Sequence, residues 1–391
     1  MTDLSRTLRR DTSVAIRSDA GTVLLETTGS APDPVIWRDK LGRGHLLNSR
    51  TETVDISSAS LARHGELIVD QFGRTFDYVR IAVNERCNLR CVYCMPEEGV
   101  DFLPQKDLLT TDEINRLISI LVESGVKKIR FTGGEPLLHK DIVSLVGFAA
   151  NAGVKSVHLT TNGLLLEKVA KPLLDAGLTG INISLDTLDH QKFVEITRRE
   201  GVEKVIDALN LALSLEFRSV KINVVFMRDF NHREIGDFIE LTREKPLTVR
   251  FIELMPFDAH QIWKTGKFFG AELIEKEIRR LHPGIEPDSG TATEHSLFKV
   301  PGYAGKVGII PAFTRSFCGE CNRIRVTADG KIRNCLYSDD EFDLKGLIRN
   351  GANDVEIGKV IRRAMWMKPE DGWVAQRQED HGRESMTKIG G

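Results

Sequence analysis

The sequence has little that would place this protein in a membrane or on a nucleic acid. Apolar residues make up 41% of the chain, but no unbroken apolar run approaches the roughly 18 residues of a membrane-spanning helix. Positive and negative side chains nearly balance, which leaves a net charge of −2. A surface without a charge excess has no general attraction for nucleic acid or anionic lipid. We therefore expect neither a nucleic-acid nor a membrane partner.

The first residues also lack the features of a targeting segment. MTDLSRTLRR contains arginines but no apolar core, which argues against a secretory signal. Mitochondrial presequences are poor in acidic residues, whereas residues 1–68 carry nine of them. We expect a cytoplasmic protein, with the mitochondrial matrix as the alternative if the source is eukaryotic.

Cysteine is scarce, and the six cysteines of the chain fall into two groups of three. The first group is CNLRCVYC, residues 87–94, with the spacing C-x3-C-x2-C. The second is C-x2-C-x13-C within FCGECNRIRVTADGKIRNCL, residues 317–336. In a reducing cytoplasm, grouped cysteines indicate a metal site more often than disulfides.

Between the two cysteine groups, short β-branched segments alternate with amphipathic ones. The strand-like segments are residues 78–83, 127–134, 156–163, 180–187, 220–227 and 247–255. Six strand-then-helix units predict a parallel sheet with right-handed crossovers. Six are too few for a closed eight-stranded barrel, so we predict an α/β fold with a partial (β/α)6 TIM-like barrel over residues 69–283.

The barrel is flanked by two regions of different character. Residues 1–68 form an N-terminal extension, which is either a small β-rich unit or a partly disordered arm. Residues 284–391 are predicted to be a β-rich and helical cluster-binding region that ends in a Gly-Gly tail. SLFKV, KVGII and NRIRVTADGKIR suggest antiparallel strands there, with a hairpin at Asp329-Gly330. A helix is expected from Leu344 to about Met365.

Three cysteines leave one ligand position open at each site. Three thiolates bind a 4Fe-4S cluster and leave one iron free for an outside molecule. The alternative at the first group is a zinc knuckle, although such sites usually pair two short C-x2-C arms. At the second group, the alternative is zinc or a closed cluster that a nearby His or Asp completes.

Two arginines lie between the cysteines of the second group. Arg323 and Arg325 alternate along a predicted strand, so they share one face. Guanidinium groups match phosphate oxygens with paired hydrogen bonds, which favours an anionic ligand beside this site. The alternative is a strand face that is simply exposed to water.

The motifs together resemble a known family. The aromatic Tyr93 within C-x3-C-x2-C, followed by TGGEP at 132–136, resembles the radical S-adenosylmethionine superfamily. The order of motifs over about residues 70–391 is similar to that of the GTP 3′,8-cyclase family of molybdenum-cofactor biosynthesis. The motifs that carry this resemblance are CNLRCVYCMP, FTGGEPLL, LTTNG, ISLDTL, VKINVVFM, RFIELMP, FCGECNRIRVTADGKIRNCL and the final GG.

The resemblance implies two 4Fe-4S clusters, S-adenosylmethionine and a set of site residues. The implied ligands of cluster 1 are Cys87, Cys91 and Cys94, and those of cluster 2 are Cys318, Cys321 and Cys335. The implied S-adenosylmethionine contacts are Tyr93, Gly134, Ser184 and Met255. The implied GTP contacts are Arg80, Lys128, Arg130, Thr161, Lys221, Arg250, Arg323, Ile324 and Arg325. The implied catalytic residues are Arg323, Arg325, Gly390 and Gly391.

The resemblance also implies a reaction and partners. A 5′-deoxyadenosyl radical would take hydrogen from ribose C3′ of GTP, the carbon radical would attack guanine C8, and reduction would yield 3′,8-cyclo-7,8-dihydro-GTP. The implied partners are a flavodoxin- or ferredoxin-type reductant, a cyclic pyranopterin monophosphate synthase that takes the product, and a second copy of the chain in a homodimer.

Two other functions compete with this one. A peptide-modifying radical enzyme with auxiliary clusters typically has more C-terminal cysteines than the three found here. A non-catalytic electron-transfer or zinc-stabilised binding protein leaves TGGEP and the polar strand ends unexplained. Iron and sulfide content distinguishes zinc from clusters.

Overall fold

The computed structural model describes most of the chain beyond residue 66. The described residues are 14–18, 21–26, 35–38, 44–47, 67–255, 265–289, 296–314, 318–338, 340–377 and 387. The predicted catalytic glycines Gly390 and Gly391 lie outside them. No helix within these ranges is long and apolar enough to cross a membrane.

The described part of the N-terminal extension is a small sheet. Its strands are β1 (Val14–Ser18), β2 (Gly21–Glu26), β3 (Val35–Arg38) and β4 (Gly44–Leu47). They pair in chain order, and each pair is antiparallel. Of the two predicted alternatives, these residues follow the β-rich one.

The six predicted barrel strands are present and parallel, which confirms the predicted fold class. They are β5 (Tyr78–Ala82), β6 (Lys128–Thr132), β7 (Ser156–Thr161), β8 (Gly180–Ser184), β9 (Ser219–Phe226) and β10 (Leu247–Glu253). Each strand pairs in parallel with the next one in the chain.

Helices follow these strands and cover the outside of the sheet. They are α1 (Thr111–Glu123), α2 (Ile142–Asn151), α3 (Ala170–Asp175), α4 (His190–Thr197), α5 (Val202–Ser214), α6 (Ile235–Glu240) and α7 (Ala271–Leu281). The start of α1 is a capping box, in which the Thr110 hydroxyl accepts from Glu113 N–H and the Glu113 carboxylate accepts from Thr110 N–H.

The strands after residue 283 join the same sheet, and two of them run in a direction the sequence did not predict. Lys306–Ile310 (β13) pairs in parallel with β10, and Arg323–Val326 (β14) pairs in parallel with β5. The antiparallel pairing predicted for this region is confirmed, because Leu297–Lys299 pairs with β13 and Lys331–Arg333 pairs with β14. The two parallel pairings were not predicted. Side-chain alternation has the same period in parallel and antiparallel strands, so the direction depends on a distant partner. Eight parallel strands therefore form the open barrel.

Short antiparallel strands extend both edges of this twelve-stranded sheet. The added strands are β11 (Glu286–Asp288) and β12 (Leu297–Lys299) at one edge, and β15 (Lys331–Arg333) and β16 (Glu341–Asp343) at the other. The Asp329-Gly330 turn joins β14 to antiparallel β15, which confirms the predicted hairpin. Since strands on both sides of residue 283 share one sheet, the division of the chain at residues 68 and 283 stays a prediction.

The predicted helix from Leu344 to about Met365 is two helices. They are α8 (Leu344–Arg349) and α9 (Asp354–Trp366), and α10 (Gly372–Arg377) follows. The break has a local cause, because Asn353 and Glu356 form a second capping box that starts α9 anew.

Side chains on the barrel strands alternate between an apolar outer face and a polar inner one. On β6, Ile129 and Phe131 are fully buried in the main hydrophobic cluster beneath the helices, whereas Lys128 and Arg130 lie on the opposite face. Closed barrels of this type fill their interior with Val, Ile and Leu. A polar interior indicates a barrel that holds a ligand.

Ile324 shows the same alternation within the RIR segment of β14. Its side chain is 0% exposed and belongs to the main hydrophobic cluster, on the opposite face from its two arginine neighbours. We expect Ile324→Ala to lower the free energy of unfolding by about 2 to 5 kcal/mol, because it leaves a cavity in that cluster. Denaturant titration measures this loss. Ile324→Val is the matched control, with an expected loss of about 1 kcal/mol, and equal losses in both variants would contradict the assignment.

Candidate active site

A cavity of about 330 Å³ occupies the interior of the open barrel. Its wall is formed by the carboxyl ends of the parallel strands and the loops that follow them, which is where barrel enzymes bind their ligands. All six cysteines of the chain are partly buried thiols on this wall, and none of them forms a disulfide. The two groups that lie far apart in the sequence therefore face one cavity.

The loop that carries the first cysteine group is held by main-chain hydrogen bonds to the end of α4. Arg90 N–H donates to the Thr197 carbonyl oxygen at 3.0 Å, and Val92 N–H donates to that of Ile196 at 2.9 Å. Burial raises the pKa of the Cys91 thiol well above its usual range, and the neighbouring Cys94 raises it further. A bound cation would reverse this shift by favouring the thiolate.

The TGGEP segment packs directly against this cysteine loop. A Cβ atom at Gly134 would lie 2.3 Å from the Arg86 carbonyl oxygen and 2.4 Å from that of Glu85, so no side chain fits there. Gly134 N–H donates to the Asn84 carbonyl oxygen at 2.9 Å. The glycine thus lets two segments of the site wall approach each other closely.

Glu135 of the same segment ties β6 to the end of β7. Its carboxylate accepts from the Thr161 hydroxyl at 2.7 Å and from the main-chain N–H groups of Leu137 and Asn162 at 2.9 and 2.7 Å. Burial raises the pKa of Glu135 to about 7, although these hydrogen bonds oppose the shift. The Asn162 side chain in turn donates to Asn88 at 2.7 Å, within the first cysteine loop.

Tyr93 joins the cysteine loop to β8 and β9 through a second buried carboxylate. Its hydroxyl donates to Asp186 Oδ2 at 2.7 Å, and Asp186 Oδ1 accepts from Val225 N–H at 2.7 Å. Burial raises the pKa of Asp186 to about 6. Ser184 lies on the same wall, while Met255 and Cys335 pack against the same small cluster of Tyr337 and Ala375.

Five of the predicted cationic residues converge on the cavity wall: Arg80, Arg130, Arg250, Arg323 and Arg325. Arg250 donates to the amide oxygens of Asn182 on β8 and Asn223 on β9, at 2.8 and 2.5 Å. Buried positive charges repel one another unless an anion compensates them. The arrangement favours a ligand with several negative charges.

His158 lies among these cations as a neutral ring. Burial lowers the pKa of His158 to about 2, and Arg130, Lys128, Lys221 and Arg250 lower it as well. Its Nδ1 has no hydrogen-bond partner among the described residues. Gly180 on the next strand makes room for the ring, since a Cβ there would lie 2.6 Å from His158 Cε1.

The second cysteine group has a more positive environment than the first. Burial raises the pKa of Cys321, but Lys368 and Arg323 lower it more, and the result is about 5. The Lys368 ammonium donates to the Asn334 carbonyl oxygen, next to Cys335. Cys321 is thus predisposed to the thiolate form that binds iron.

Arg74 anchors the loop of Cys318 to the segment before β5. Its guanidinium donates to the carbonyl oxygens of Cys318 at 2.8 Å, Glu370 at 2.7 Å and Pro369 at 2.7 Å. Its Nε pairs with Asp70 at 2.5 Å, and both side chains are buried. This contact joins residues that are 244 positions apart in the chain.

Both cysteine groups fit an iron–sulfur cluster by ligand type and by grouping. Within each group the thiols are close enough to raise one another's pKa, as Cys335 and Cys321 do for Cys318 after the larger effect of burial. Among the described residues, no set of three Cys, His, Asp or Glu side chains is arranged to hold a single metal ion. An iron–sulfur cube is larger than an ion and spans more widely separated thiolates.

Of the four remaining predicted contacts, one lies on the cavity wall and three do not. Thr161 lies on the wall with its hydroxyl donated to Glu135. Lys128 and Lys221 do not line the cavity; Lys128 Nζ lies 4.9 Å from the centre of the Tyr78 ring. Ile324 turns its side chain into the core, which leaves only its main chain near the site.

Several wall residues were missed by reasoning from the sequence. Glu135 and Asp186 lie just after strand ends, within the motifs TGGEP and ISLDTL. Their position could therefore have indicated site residues. Three other wall residues carry no such signal. Arg74 precedes the first barrel strand, Tyr78 begins that strand, and Lys368 follows α9.

Two family profiles match this chain. The profile described as Radical SAM superfamily matches residues 81–242, and the one described as Molybdenum Cofactor Synthesis C matches residues 247–373. Together the two matches cover both cysteine groups and the six predicted barrel strands, apart from the first three residues of β5.

Individual relatives with known names agree with these profiles. The chain is 47% identical to the GTP 3′,8-cyclase of Chlorobaculum tepidum over 83% of this chain and 97% of that protein. It is 40% identical to the mitochondrial GTP 3′,8-cyclase of Arabidopsis thaliana, over 84% of this chain and 88% of that one. It is 43% identical to molybdenum cofactor biosynthesis protein 1 of Drosophila melanogaster over 83% of this chain, which spans only 60% of that longer protein.

Among solved structures, the crystal structure of Streptococcus suis SuiB is similar in fold. It aligns with a TM-score of 0.50 at 14% identity, over 70% of this chain and 62% of that one.

The neutral state of His158 predicts a pH dependence of stability. In the unfolded chain this residue takes up a proton below its ordinary pKa of 6.5, whereas the folded protein keeps it neutral down to a pKa of about 2. Its contribution is therefore present above pH 6.5 and is lost as the pH falls below that value. Between pH 7 and 5.5, we expect the free energy of unfolding of His158→Gln to fall by about 1 kcal/mol less than that of the wild type.

Denaturant titrations at the two pH values measure this difference. His190→Gln is the matched control, because the His190 side chain is 52% exposed. That control is expected to keep the wild-type pH dependence. A His158→Gln variant with an unchanged slope would show that His158 is protonated in the folded protein.

Proposed function

This chain belongs to the GTP 3′,8-cyclase family, and from that premise we propose that it converts GTP to 3′,8-cyclo-7,8-dihydro-GTP, the first step of molybdenum-cofactor biosynthesis. The observation that carries the proposal is the cavity itself. Two cysteine groups lie on its wall together with five arginines, so cluster ligands and phosphate-binding cations surround one space.

The cofactors of this enzyme are two 4Fe-4S clusters and S-adenosylmethionine. When bound, the first cluster and S-adenosylmethionine would supply a 5′-deoxyadenosyl radical that takes hydrogen from ribose C3′. The C3′ radical would then bond to guanine C8, and one electron from the external reductant with one proton would complete the dihydro product. We assign the first cluster to Cys87, Cys91 and Cys94, and the second to Cys318, Cys321 and Cys335. We assign S-adenosylmethionine contacts to Tyr93, Gly134, Ser184 and Met255, which all line the cavity.

The protein's own side chains bind and orient the nucleotide. GTP carries about four negative charges, which the guanidinium groups of Arg80, Arg130, Arg250, Arg323 and Arg325 on the cavity wall can compensate. Lys128 and Lys221 act from behind this wall as long-range charges rather than as contacts. The main chain of Ile324 lies between two of the arginines, and its N–H or carbonyl is the part available to the substrate.

The strand ends that Glu135 and Asp186 join form a rigid wall, which would keep ribose C3′ and guanine C8 of the substrate aligned. Glu135 and Asp186 bind main-chain N–H groups of neighbouring strands, so the loop of the first cysteine group cannot move independently of the sheet. Fixed geometry of this kind supplies much of the acceleration in a radical cyclisation, because the carbon radical must react with C8 before it reacts with any other group.

We further propose the partners and the compartment that the family suggests. A flavodoxin- or ferredoxin-type protein would supply the electron, and a cyclic pyranopterin monophosphate synthase would take the product. The chain would act as a homodimer. The cytoplasm is the proposed compartment, with the mitochondrial matrix as the alternative for a eukaryotic source.

Anaerobic turnover tests the proposed function. The cluster-loaded protein is incubated with GTP, S-adenosylmethionine and dithionite, and the products are separated by chromatography. We expect 5′-deoxyadenosine and the cyclic nucleotide in equal amounts. Formation of 5′-deoxyadenosine without consumption of GTP would contradict the proposal while keeping the superfamily assignment.

A cysteine variant gives this assay its control. Cys321→Ala is expected to lower iron content from about eight to about four per chain and to abolish the cyclic product. It should still cleave S-adenosylmethionine slowly, since the first cysteine group is intact. Full iron content in Cys321→Ala would contradict the assignment of the second cluster.

The C-terminal tail gives a separate prediction. Gly390 and Gly391 lie outside the described residues, but Thr387, three positions before Gly390, is only 3% exposed and lies on the cavity wall. We expect deletion of the two glycines to lower cyclisation about 100-fold or more, because the tail then fails to position a reacting group. Iron and sulfide content should stay unchanged. Undiminished turnover of the shortened chain would refute a catalytic role for the tail.

A further inference from the structure

Tyr78 lies on the cavity wall but belongs to none of the binding sets assigned above. It is the first residue of β5, and its side chain is 2% exposed. The side chain faces the arginines of the wall. Among the described residues, no carboxylate is hydrogen-bonded to the Tyr78 hydroxyl.

Cationic side chains from three strands face the Tyr78 ring. On β6, Lys128 Nζ is 4.9 Å and Arg130 Cζ is 5.4 Å from the ring centre, and Arg80 Cζ on its own strand is 5.9 Å away. On β14, Arg323 pairs directly with Tyr78, and Arg325 pairs with Arg80. Each cation within about 6 Å of a ring face is attracted to it.

The Tyr78 hydroxyl is oriented as an acceptor toward this charge. Arg80 Nε–H donates to the hydroxyl oxygen at 3.3 Å. The buried carboxylates of the wall are used elsewhere: Glu135 binds Thr161 and Asn162, and Asp186 binds Tyr93. Tyr78 thus presents to these cations a hydroxyl that can itself become an anion.

We propose that Tyr78 is a positioning residue for the nucleotide phosphates: its ring holds Arg80, Lys128 and Arg130 in place, and its hydroxyl takes up a proton when a polyphosphate enters among them. The inference rests on the proposed function, because it identifies the polyphosphate as that of GTP. In the free protein the tyrosinate compensates part of the cationic charge. The entering phosphates replace it, and the phenol re-forms.

The electrostatics of the site agree with this exchange. Burial raises the pKa of Tyr78, but Arg130, Arg80 and Lys128 lower it more, so that it reaches about 7 in the free protein. A bound triphosphate cancels the field of these cations and returns the pKa toward its ordinary value of 10. Above about pH 7 binding must then take up a proton, so the affinity for GTP falls as the pH rises.

Proton uptake on binding tests the proposal directly. GTP is titrated calorimetrically into the cluster-loaded protein without S-adenosylmethionine, at about pH 8.5, in two buffers with different ionisation enthalpies. We expect uptake of close to one proton in the wild type and none in Tyr78→Phe. The ratio of wild-type to Tyr78→Phe dissociation constants should rise about tenfold per pH unit above 7. The chain has four tyrosines, so loss of one tyrosinate is also visible in the ultraviolet difference spectrum.

Controls separate this inference from the proposed function. Tyr303→Phe, whose hydroxyl binds Glu240 outside the cavity, should behave as the wild type. Inorganic triphosphate should cause the same proton uptake, whereas guanosine should cause none. Equal uptake in wild type and Tyr78→Phe, or no uptake by the wild type despite GTP binding, would overturn the role of Tyr78 and leave the cyclase function standing. A cluster-loaded wild type that does not bind GTP would overturn both.

Discussion

The structure depends on one electrostatic constraint, which is a group of positive side chains held inside a barrel. Strand alternation places apolar residues such as Ile129 and Phe131 under the helices and turns Arg80, Arg130 and Arg325 inward. These charges repel one another, and the interior offers little water to screen them. The hydrophobic outer layer holds the strands in place against that repulsion. The site is therefore prepared for an anion before one arrives, and a neutral His158 lies where another charge would add to the repulsion.

Buried carboxylates have a different task, which is to fix the strand ends. Glu135 joins β6 to β7, and Asp186 joins β8 to β9 and to the first cysteine loop. Glu253 does the same at β10, where it accepts from Phe313 N–H at 2.9 Å, Thr314 N–H at 2.8 Å and Ala271 N–H at 2.7 Å. Because these oxygens bind main-chain donors, the carboxylates build the frame of the site. The arginines line the cavity beside this frame, with the proton of Tyr78 as the proposed adjustable charge.

Much of the fold and the site was predictable from local patterns. The six barrel strands follow from β-branched runs, and the start of α1 follows from Thr110 and Glu113. The six cysteines, Tyr93 and the paired arginines of β14 were recognisable because their spacing is a property of the chain. The contact roles of Lys128, Lys221 and Ile324 were less predictable, since the direction of a side chain depends on strand register rather than on its motif. Glu135 was within a recognised motif, yet its role depends on Thr161 and Asn162 of another strand.

The sequence by itself determined the chemistry: which thiols are available, which strand ends carry polar residues, and which family these motifs belong to. Only the tertiary structure decided that both cysteine groups share one cavity. That outcome depends on β14 pairing in parallel with β5 and on Arg74 binding the Cys318 loop from 244 residues away. Main-chain hydrogen bonds between distant strands leave no local signature, because every residue type except proline offers the same donor and acceptor. The same pairing brings Arg323 beside Tyr78 and completes the positive wall.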